Sequence, residues 1–318
     1  MNLNQIVAFR AVMNSTSISD AARKLGRTQP AVSLAIRSLE ETLGLKLFER
    51  RGRQLIPVPE AHYLHAESQE ILNRLSSVTR TMQSLARGSS GSLVVTAMPG
   101  SAAFVFPRFV ASVVANLESV DVTITSRSSQ QIEELARTQS IDFGFCDAPA
   151  PHSDEAQYHS DVVSAECFLA MPSNHRLASR DSVSIGELDG LPMGTLQSWH
   201  LHQNRTAEQF AQHGATCRTV IESQTFIPLL FFIRANKCLA VVDPLTVVNE
   251  LELAITNNEV VFRRLESSFR YDYAILTPKH RPLSQVAVKA RAKWKASIFE
   301  LLDSINSEPR WEETSDLF

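Results

Sequence analysis

The chain has 318 residues, of which 20% are charged and 44% hydrophobic, and its formal net charge is −3. This composition is ordinary for a globular protein and excludes a disordered, collagen-like or purely coiled-coil chain, while the length predicts roughly two or three domains. No apolar run approaches the ~20 residues of a membrane span, and the N-terminal sequence lacks the pattern of a signal peptide. The cysteines form no CxxC pair, which predicts buried thiols in a reduced cytoplasmic protein; they are Cys146, Cys167, Cys217 and Cys238.

The net charge is unevenly distributed along the chain. Residues 1–58 hold nine basic and four acidic side chains, a net charge of +5, which leaves −8 for the remaining 260 residues. A basic segment at one end of an acidic chain predicts that this end contacts a polyanion.

Three helices are predicted within this basic segment. The first has an apolar stripe at helical spacing, formed by Leu3, Ile6, Phe9 and Met13. The second follows the N-cap candidates of Ser17-Ile18-Ser19-Asp20 and ends at Gly26. The third begins after Thr28, with Pro30 in its first turn, where a missing N–H costs nothing.

The third helix has two distinct faces. We expect its apolar face to pack in the core through Val32, Ile36, Leu39 and Leu43. Gln29, Ser33 and Arg37 share another face, and these side-chain types suit base edges and phosphates in a major groove. The pair of helices joined by a short Gly-containing turn predicts a helix-turn-helix. The alternative is an ordinary amphipathic helix with a solvated polar face.

A basic cluster follows the third helix. Arg50, Arg51 and Arg53 surround Gly52 and precede an apolar stretch at 55–58. We interpret this pattern as a β-wing whose arginines contact phosphates or enter a minor groove.

A long connector helix is predicted after Pro59. No Gly or Pro occurs again until Gly88, and apolar residues recur every seven positions: Leu64, Ile71, Val78 and Leu85, with Leu75 and Met82 on the adjoining stripe. This period favours a left-handed helix pairing and hence a dimer, although the stripe could instead pack on the chain's own body. Residues 87–92 then form a short Gly/Ser-rich linker.

Beyond the linker, predicted strands and helices alternate. The first lobe has strands at 92–97, 120–126 and 141–147 and helices at 104–117 and 130–138. The second has strands at 165–172, 217–223 and 238–243 and helices near 200–213 and at 226–234, before the chain returns through a strand at 271–277 and a helix at 284–305. Alternation predicts parallel sheets flanked by helices, with a ligand at strand ends beside helix N-termini.

The N-terminal segment resembles the winged helix-turn-helix signature of LysR-type transcriptional regulators over residues 17–61. The matching positions are Ala21-Ala22, Leu25, Gln29-Pro30, Val32-Ser33, Leu39-Glu40, Leu43-Gly44 and Leu47-Phe48-Glu49-Arg50. Two departures stand out: Leu34 replaces the usual Arg or other polar residue after the recognition-helix serine, and Pro57-Val58-Pro59-Glu60-Ala61 replaces the usual Leu-Thr-x-x-Gly. The resemblance then continues along nearly the whole chain.

The resemblance implies a multidomain fold of mixed α+β and α/β class. Its parts are a winged helix-turn-helix at 1–58, a dimerising linker helix at 59–87 and a two-lobed, periplasmic-binding-protein-like α/β effector domain at 88–318. Lobe 1 is expected at about 92–162 and 267–318, and lobe 2 at about 163–266. The expected partners are a pseudo-palindromic double-stranded operator, RNA polymerase, a small effector, and further copies of the chain in a homodimer or homotetramer. The residues expected to contact DNA are Arg27, Thr28, Gln29, Pro30, Ser33, Arg37, Arg50, Arg51 and Arg53.

A finer resemblance concerns the effector. Ala97-Met98-Pro99, the segment 145–149, the segment 241–246 and Lys279-His280-Arg281-Pro282 are similar to the branch that responds to diaminopimelate or lysine and to opines. This implies an amino-acid-like effector, whose carboxylate helix N-termini near Ser101 and Ser128-Ser129 could bind. Asp147 and Asp243 could accept its ammonium group, or could simply cap the segments that follow.

The candidate effector-binding residues extend over both lobes. They are Met98, Pro99, Ser101, Ser128, Ser129, Asp147, Thr195, Gln197, Ser198, Trp199, Thr225 and Asp243. His200 could line the same cleft, and Trp199 could equally be a surface or packing aromatic.

The sequence offers little support for catalysis. It contains no G-x-G-x-x-G, Walker A or G-x-S-x-G motif. His200 and His202 are two positions apart, so on a helix they point in different directions and make a poor metal pair. We therefore expect no enzyme, metal or cofactor; an effector-independent DNA-binding protein is the main alternative, and a ligand-processing enzyme fused to a DNA module is a weaker one.

Overall fold

The computed structural model describes residues 1–51, 54–87, 92–117, 120–149, 157–198 and 200–312. The chain divides into two compact units, Met1–Met82 and Gln83–Phe318.

The N-terminal unit is a three-helix fold followed by a hairpin. Its elements are α1 (Leu3–Met13), α2 (Ile18–Lys24), α3 (Gln29–Leu43), β1 (Phe48–Arg51), β2 (Gln54–Pro57) and most of α4 (Pro59–Arg87), whose last five residues belong to the larger unit. The Ser17 side chain caps α2 by accepting from the backbone N–H of Asp20, and Gly26 follows α2 with φ +62°, a left-handed conformation that glycine adopts without strain. Both helix boundaries predicted at these residues are confirmed.

The apolar face of α3 forms part of the unit's core. Val32, Ile36 and Leu39 are buried with Phe9, as their spacing predicts. Leu43 is an exception, because it is exposed at the last position of the helix before Gly44. Its predicted burial is wrong because Leu43 is the last residue of the helix and lies beyond the core that buries Leu39.

The hairpin is tied to α3 by a buried carboxylate. β1 and β2 are antiparallel and pair Arg50 with Leu55, as the predicted wing requires. Glu40 of α3 accepts from the backbone N–H groups of Leu47 (2.8 Å) and Phe48 (3.4 Å) and from the ammonium of Lys46. The start of the hairpin is therefore fixed to the helix.

Helix α4 has an apolar stripe that the single chain leaves uncovered. Ile71, Leu75, Val78 and Met82 are exposed, whereas Leu64 packs against the N-terminal core. The side chain of Leu85 lies outside the described residues.

The larger unit contains a mixed six-stranded sheet. Its strands, in the order β14-β6-β13-β5-β3-β4, are β3 (Ser92–Ala97), β4 (Asp121–Ser126), β5 (Phe143–Asp147), β6 (Tyr158–Glu166), β13 (Arg270–Pro278) and β14 (Arg310–Trp311). The predicted parallel pairing holds for β3 with β4 and β5. It is wrong for β13, which pairs antiparallel with β5 and β6. The sequence does not predict β14 or most of β6, and these two strands also pair antiparallel. The physical reason is that β6 takes the chain out to the second sheet and β13 brings it back alongside.

The second sheet lies beyond Cys167, where the predicted single strand 165–172 is divided. It has the order β11-β7-β12-β8 and is accompanied by the parallel pair β9–β10. These strands are β7 (Phe168–Pro172), β8 (Ser182–Val183), β9 (Pro192–Leu196), β10 (Arg218–Ser223), β11 (Ala240–Val242) and β12 (Val260–Leu265).

Helices cover both sheets. They are α5 (Pro99–Ala102), α6 (Val105–Val114), α7 (Ser129–Arg137), α8 (Leu201–Gln212), α9 (Phe226–Arg234), α10 (Pro244–Leu253) and α11 (Gln285–Ser304). Sequence periodicity misses α10 because its residues 244–250 are all buried, so this part of the helix has no polar face to reveal its period. Trp294 of α11 is fully buried against the rings of Phe106, Phe109 and Phe145.

Candidate functional site

The first candidate site is the polar face of α3. Gln29, Pro30 and Arg37 are exposed and Ser33 is half-buried, so the helix presents the predicted contact residues at its surface. Leu34 is 68% exposed on the same helix. An exposed leucine at this position has no packing role within the unit, and apolar side chains can contact the methyl group of thymine in a major groove.

The remaining predicted DNA contacts flank this helix. Thr28 occupies the N-cap position of α3 without a side-chain capping hydrogen bond. Arg27 is exposed and donates to the side chain of Asn4 at 3.1 Å. Arg50 and Arg51 lie on β1, but their side chains are outside the described residues, as is the whole of Arg53.

The second candidate site is a cavity of about 540 Å³ in the larger unit. This volume is within the range of small-molecule sites. Its wall draws on both sheets and on the N-terminal ends of several helices. The lining residues are Met98, Pro99, Gly100, Ser101, Ser128, Ser129, Gln130, Glu133, Cys146, Asp147, Ala148, Pro149, Leu196, His200, Leu201, Gln224, Thr225, Phe226, Asp243, Leu245, Thr246, Asn249 and Tyr271.

Most of the predicted effector residues meet at this cavity. Those brought together are Met98, Pro99, Ser101, Ser128, Ser129, Asp147, Thr225 and Asp243, with His200. Thr195, Gln197 and Ser198 do not belong to the described lining. Thr195 is buried on β9 next to the lining residue Leu196, and successive side chains of a strand point to opposite faces. Ser198 is exposed beyond the strand, and Trp199 lies outside the described residues.

Asp147 ends β5 and is held by side chains from three other segments. Its carboxylate accepts from the Ser129 hydroxyl (2.6 Å) and the Tyr271 hydroxyl, and Nε2 of His200 lies 3.3 Å away. Burial opposes ionisation of Asp147, but the hydrogen bond and the charge of His200, together with hydrogen bonds from Ser129 and Tyr271, outweigh it and lower the pKa below its ordinary value. The carboxylate is therefore an anion in the cavity wall.

Asp243 is a helix cap and a cavity residue at once. Its side chain accepts from the backbone N–H (3.3 Å) and hydroxyl of Thr246 at the start of α10, and from the Tyr273 hydroxyl at 2.6 Å. Burial is the main reason that the pKa of Asp243 is raised, and the nearby charge of Asp147 adds to it. The capping interpretation of Asp243 and the ligand interpretation are thus compatible.

The N-termini of two helices, α7 and α9, border the same cavity. Ser128 caps α7 through a capping box with Gln131, and Ser128, Ser129 and Gln130 line the cavity. Thr225 precedes α9 without a side-chain cap hydrogen bond, which leaves backbone donors at that end for another acceptor. Helix N-termini favour anionic ligand groups such as a carboxylate.

Two buried polar atoms on the wall lack a hydrogen-bond partner. The Ser101 hydroxyl and the Asn249 side-chain oxygen are both in this state, and each residue is only 1% exposed. Such atoms are uncommon in folded proteins, since leaving them unpaired costs free energy. They are available to a bound molecule.

The sequence analysis does not predict several of the lining residues. Glu133 is four residues after Ser129 on α7, so helical spacing could have identified it. Asn249 lies three positions after Thr246 on α10, a helix that the sequence analysis does not predict. Tyr271 has no local signal, because only the pairing of β13 with β5, Tyr273 opposite Asp147, brings it to the site.

His202 lies behind this wall and is fully enclosed. Its ring is about 5 Å from those of Phe226, Phe269 and Tyr271, and its Nε2 is 3.3 Å from the Val241 carbonyl oxygen. Burial lowers the pKa of His202 to about 3. Among the described residues, no group of three His, Cys, Asp or Glu side chains could hold a metal ion.

The described helices also include none with the length and hydropathy to cross a membrane.

Taken together, an exposed polar helix face in a winged helix-turn-helix and a separate small-molecule cavity define a DNA-binding transcriptional regulator with an effector domain. The sequence matches the bacterial regulatory helix-turn-helix protein family, lysR type, over residues 3–62 and the LysR substrate binding domain over residues 86–293. The chain therefore belongs to the LysR family of transcriptional regulators.

Individual relatives agree with this assignment. The regulatory protein NocR of Agrobacterium fabrum is 28% identical over 305 residues, covering 96% of this chain and 97% of the relative. The transcriptional activator LysR of Escherichia coli K12 is 25% identical over 307 residues, covering 96% of each chain. The full-length structure of CbnR with its target DNA shares the fold, with a TM-score of 0.70 at 17% identity over 93% of this chain and 100% of that one.

Proposed function

We propose that residues 1–58 bind an operator, residues 59–87 pair two copies of the chain, and residues 88–318 hold the effector. Within the effector domain, we assign lobe 1 to about 92–162 and 267–318 and lobe 2 to about 163–266. The observation that carries the proposal is the exposure of the α3 polar face, with Gln29 and Arg37 free of any packing role. The protein acts where the DNA is, in the bacterial cytoplasm, and not as an enzyme.

Operator reading follows from the chemistry of α3 and the hairpin. Gln29, Ser33 and Arg37 contact base edges or phosphates in a major groove, flanked by Arg27, Thr28 and Pro30. Arg50, Arg51 and Arg53 bind the backbone or a minor groove. Replacing Arg50 or Arg53 should lower the salt dependence of binding by about one unit of slope, and an unchanged slope would contradict the wing assignment.

The exposed stripe of α4 supports the pairing of two chains. Ile71, Leu75, Val78 and Met82 would be covered by the same stripe of a second copy, as in other heptad helices. A dimer also places two recognition helices on the two half-sites of a pseudo-palindromic operator. A tetramer and a contact with RNA polymerase belong to the same proposal.

The effector is an amino-acid-like molecule. The N-terminal ends of α7 and α9 suit its carboxylate, and the carboxylates of Asp147 and Asp243 suit its ammonium group. All four groups border the same cavity of about 540 Å³, which is large enough for such a ligand.

The experiment uses the full chain and has two steps. Selection from random duplex DNA identifies the operator, and titrations then measure its affinity with and without each of a panel of amino acids, opines and aromatic or sugar acids. A change caused by an amino-carboxylate supports the proposal. Operator binding that no compound alters would favour the effector-independent alternative, while a response to an aromatic or sugar acid alone would contradict the amino-acid assignment.

A further inference from the structure

A single side chain of α3, that of Glu40, links the candidate recognition helix to the hairpin. Its Oε1 accepts from the backbone N–H groups of Leu47 and Phe48, at 2.8 and 3.4 Å. In the part of the chain that the structure describes, no other α3 side chain hydrogen-bonds to residues 45–57. Glu40 is only 8% exposed, so the link is made inside the N-terminal unit and not at its surface.

The position of Glu40 on α3 places this link beside the residues assigned to DNA. Glu40 follows Arg37 by three residues, and side chains at that spacing are neighbours on a helix surface. The helix then ends at Gly44, which has a φ of +72° and donates its backbone N–H to the Glu40 carbonyl oxygen at 2.8 Å. This left-handed residue turns the chain back, which brings Leu47 to the Glu40 side chain.

The hairpin is too small to fix its own orientation. Its two strands have four residues each, and an isolated two-stranded hairpin is marginally stable at best. At its base, the Phe48 ring lies 5.8 Å from that of Phe9, and the Leu47 carbonyl oxygen accepts from the backbone N–H of Val58 at 3.0 Å. These contacts hold the base on the core, and the Glu40 hydrogen bonds set its direction relative to α3.

The direction of β1 decides where the wing arginines, Arg50, Arg51 and Arg53, can reach. Arg50 is two residues beyond Phe48, or about 7 Å along a strand. A rotation of the strand about its first residue therefore displaces the backbone from which the arginine side chains project. Contacts with phosphates require hydrogen-bond distances, so a small displacement is enough to remove them.

The two side-chain oxygens of Glu40 have separate partners. Oε1 accepts from the backbone, while Oε2 is 3.1 Å from the ammonium of Lys46, whose side chain is 77% exposed. An ion pair with so exposed a partner contributes little, so the backbone hydrogen bonds are what hold the hairpin. Reach and charge can be changed independently at this position, because glutamine keeps the reach and aspartate keeps the charge with one methylene group fewer.

We propose that Glu40 is a positioning residue for operator binding, which sets the hairpin against α3 so that the wing arginines contact the DNA backbone or minor groove while α3 lies in the major groove. Glu40 does not contact DNA itself. Without its hydrogen bonds, α3 still presents its polar face, but the contribution of Arg50 and Arg53 is lost. The inference rests on the proposed function, because it requires that these arginines bind DNA.

The test separates the reach of the side chain from its charge. Operator affinity of the full chain is measured over a range of salt concentrations for the parent, Glu40→Asp and Glu40→Gln. We expect Glu40→Asp to weaken binding at least about tenfold and to lower the salt slope by about one unit, since phosphate contacts are lost although the charge remains. Glu40→Gln should bind within about twofold of the parent, because its amide oxygen still accepts from the backbone. Glu41→Asp, the same change at an exposed neighbour, is the control for helix propensity and should alter neither quantity.

A second measurement shows whether the loss occurs at the wing. In an Arg50→Ala/Arg53→Ala background, Glu40→Asp should cause no further loss of affinity, because the contacts that it displaces are already absent. Hydrogen exchange followed by mass spectrometry should show equal protection of α1 and α2 in all variants, with faster exchange of residues 45–58 in Glu40→Asp. The same additional loss of affinity in both backgrounds, or an equal loss in Glu40→Asp and Glu40→Gln, overturns the proposal.

Failure of this inference is distinguishable from failure of the proposed function. If the Arg50→Ala/Arg53→Ala variant binds the operator as the parent does at every salt concentration, the hairpin does not contact DNA, and the inference fails together with that assignment. If the arginine variant lowers both affinity and salt slope but Glu40→Asp binds as the parent does, the wing assignment stands and only the positioning role of Glu40 is wrong.

Discussion

The N-terminal unit presents its candidate contact residues on one exposed stretch of α3, between Gln29 and Arg37. The cavity of the larger unit instead gathers side chains from segments as far apart as Met98 and Tyr271. The first site depends on one helix having the right face outward. The second depends on two sheets and several helix ends being brought together.

Because of this difference, substitutions at the two sites affect function and stability differently. Gln29 and Arg37 have no packing role, so changes there should alter DNA binding alone. Asp243 caps α10 and Ser128 caps α7 while both line the cavity, so changes there affect ligand binding and folding together. Four predictions test this contrast, from the largest expected effect to the smallest.

The largest effect is expected in the core beneath the cavity strands. Trp294→Ala should lower the free energy of unfolding of the larger unit by about 3–5 kcal/mol, because it leaves a void among Phe106, Phe109 and Phe145. Hydrogen exchange followed by mass spectrometry should show reduced protection of β3, β5 and α6. Protection of α1–α3 should be unchanged, and an equal loss there would contradict the separation of the two units. Trp311→Ala, at a half-buried position, is the matched control with a smaller expected loss.

A smaller effect is expected from the pH dependence of His202. Its pKa is about 3 when folded, whereas an unfolded histidine takes up its proton near pH ~6.5. Between these values the unfolded state binds more protons, so stability falls as the pH decreases from about 6.5 to 3, by an amount on the order of a few kcal/mol in all.

His202→Phe should remove this contribution, since phenylalanine can occupy the same aromatic cluster. Denaturant unfolding of both proteins across the pH range gives the difference directly, because other titrating groups cancel. The two curves should run parallel above pH 7, and below it the stability of the parent should fall relative to that of the variant. Curves that stay parallel throughout would show that His202 is not buried in its neutral form.

On the DNA side, Gln29→Ala should weaken binding to the selected operator by about 1–3 kcal/mol through loss of a base contact. The unfolding free energy should not change, because Gln29 is exposed. Thr42→Ala, exposed near the other end of α3, is the control for operator affinity. Normal operator binding by the Gln29 variant would mean that another face of α3 reads the DNA.

The smallest stability effect is expected at Leu34. Leu34→Ala should change the unfolding free energy by no more than about 0.5 kcal/mol, because the side chain is 68% exposed. If Leu34 contacts a thymine methyl group, selection from random DNA with the variant should lose preference for thymine at one position. A large loss of stability would instead place Leu34 in an interface.

The sequence predictions are correct where the signal is local and wrong where the feature depends on distant parts of the chain. The caps at Ser17 and Gly26, the burial of Val32 and Leu39, and most strands and helices of the larger unit are visible in the sequence because their signals are local. Leu43 fails because spacing does not show where the neighbouring core ends. Helix α10 is missed because its first seven residues are all buried and therefore show no alternation of polar and apolar faces.

Local sequence signals also fail to decide which single residues line the cavity. Asp147 and Asp243 could be proposed from their positions at strand ends, which are common ligand sites in α/β folds. The same reasoning favours Thr195, but the pleat of β9 turns it away while Leu196 faces the cavity. No sequence pattern could decide between adjacent strand residues without the register of the sheet.

The amino-acid sequence by itself determined the helix-turn-helix, its exposed polar face, the basic N-terminal segment, the long heptad helix and the family to which the chain belongs. These follow from periodicity, capping and charge within short segments. Only the tertiary structure decided the mixed direction of the central sheet, the approach of His200 and Tyr271 to Asp147, and the acidic wall without lysine or arginine in the described lining. Those features depend on the pairing of distant strands, and local spacing carries no information about which distant residues meet.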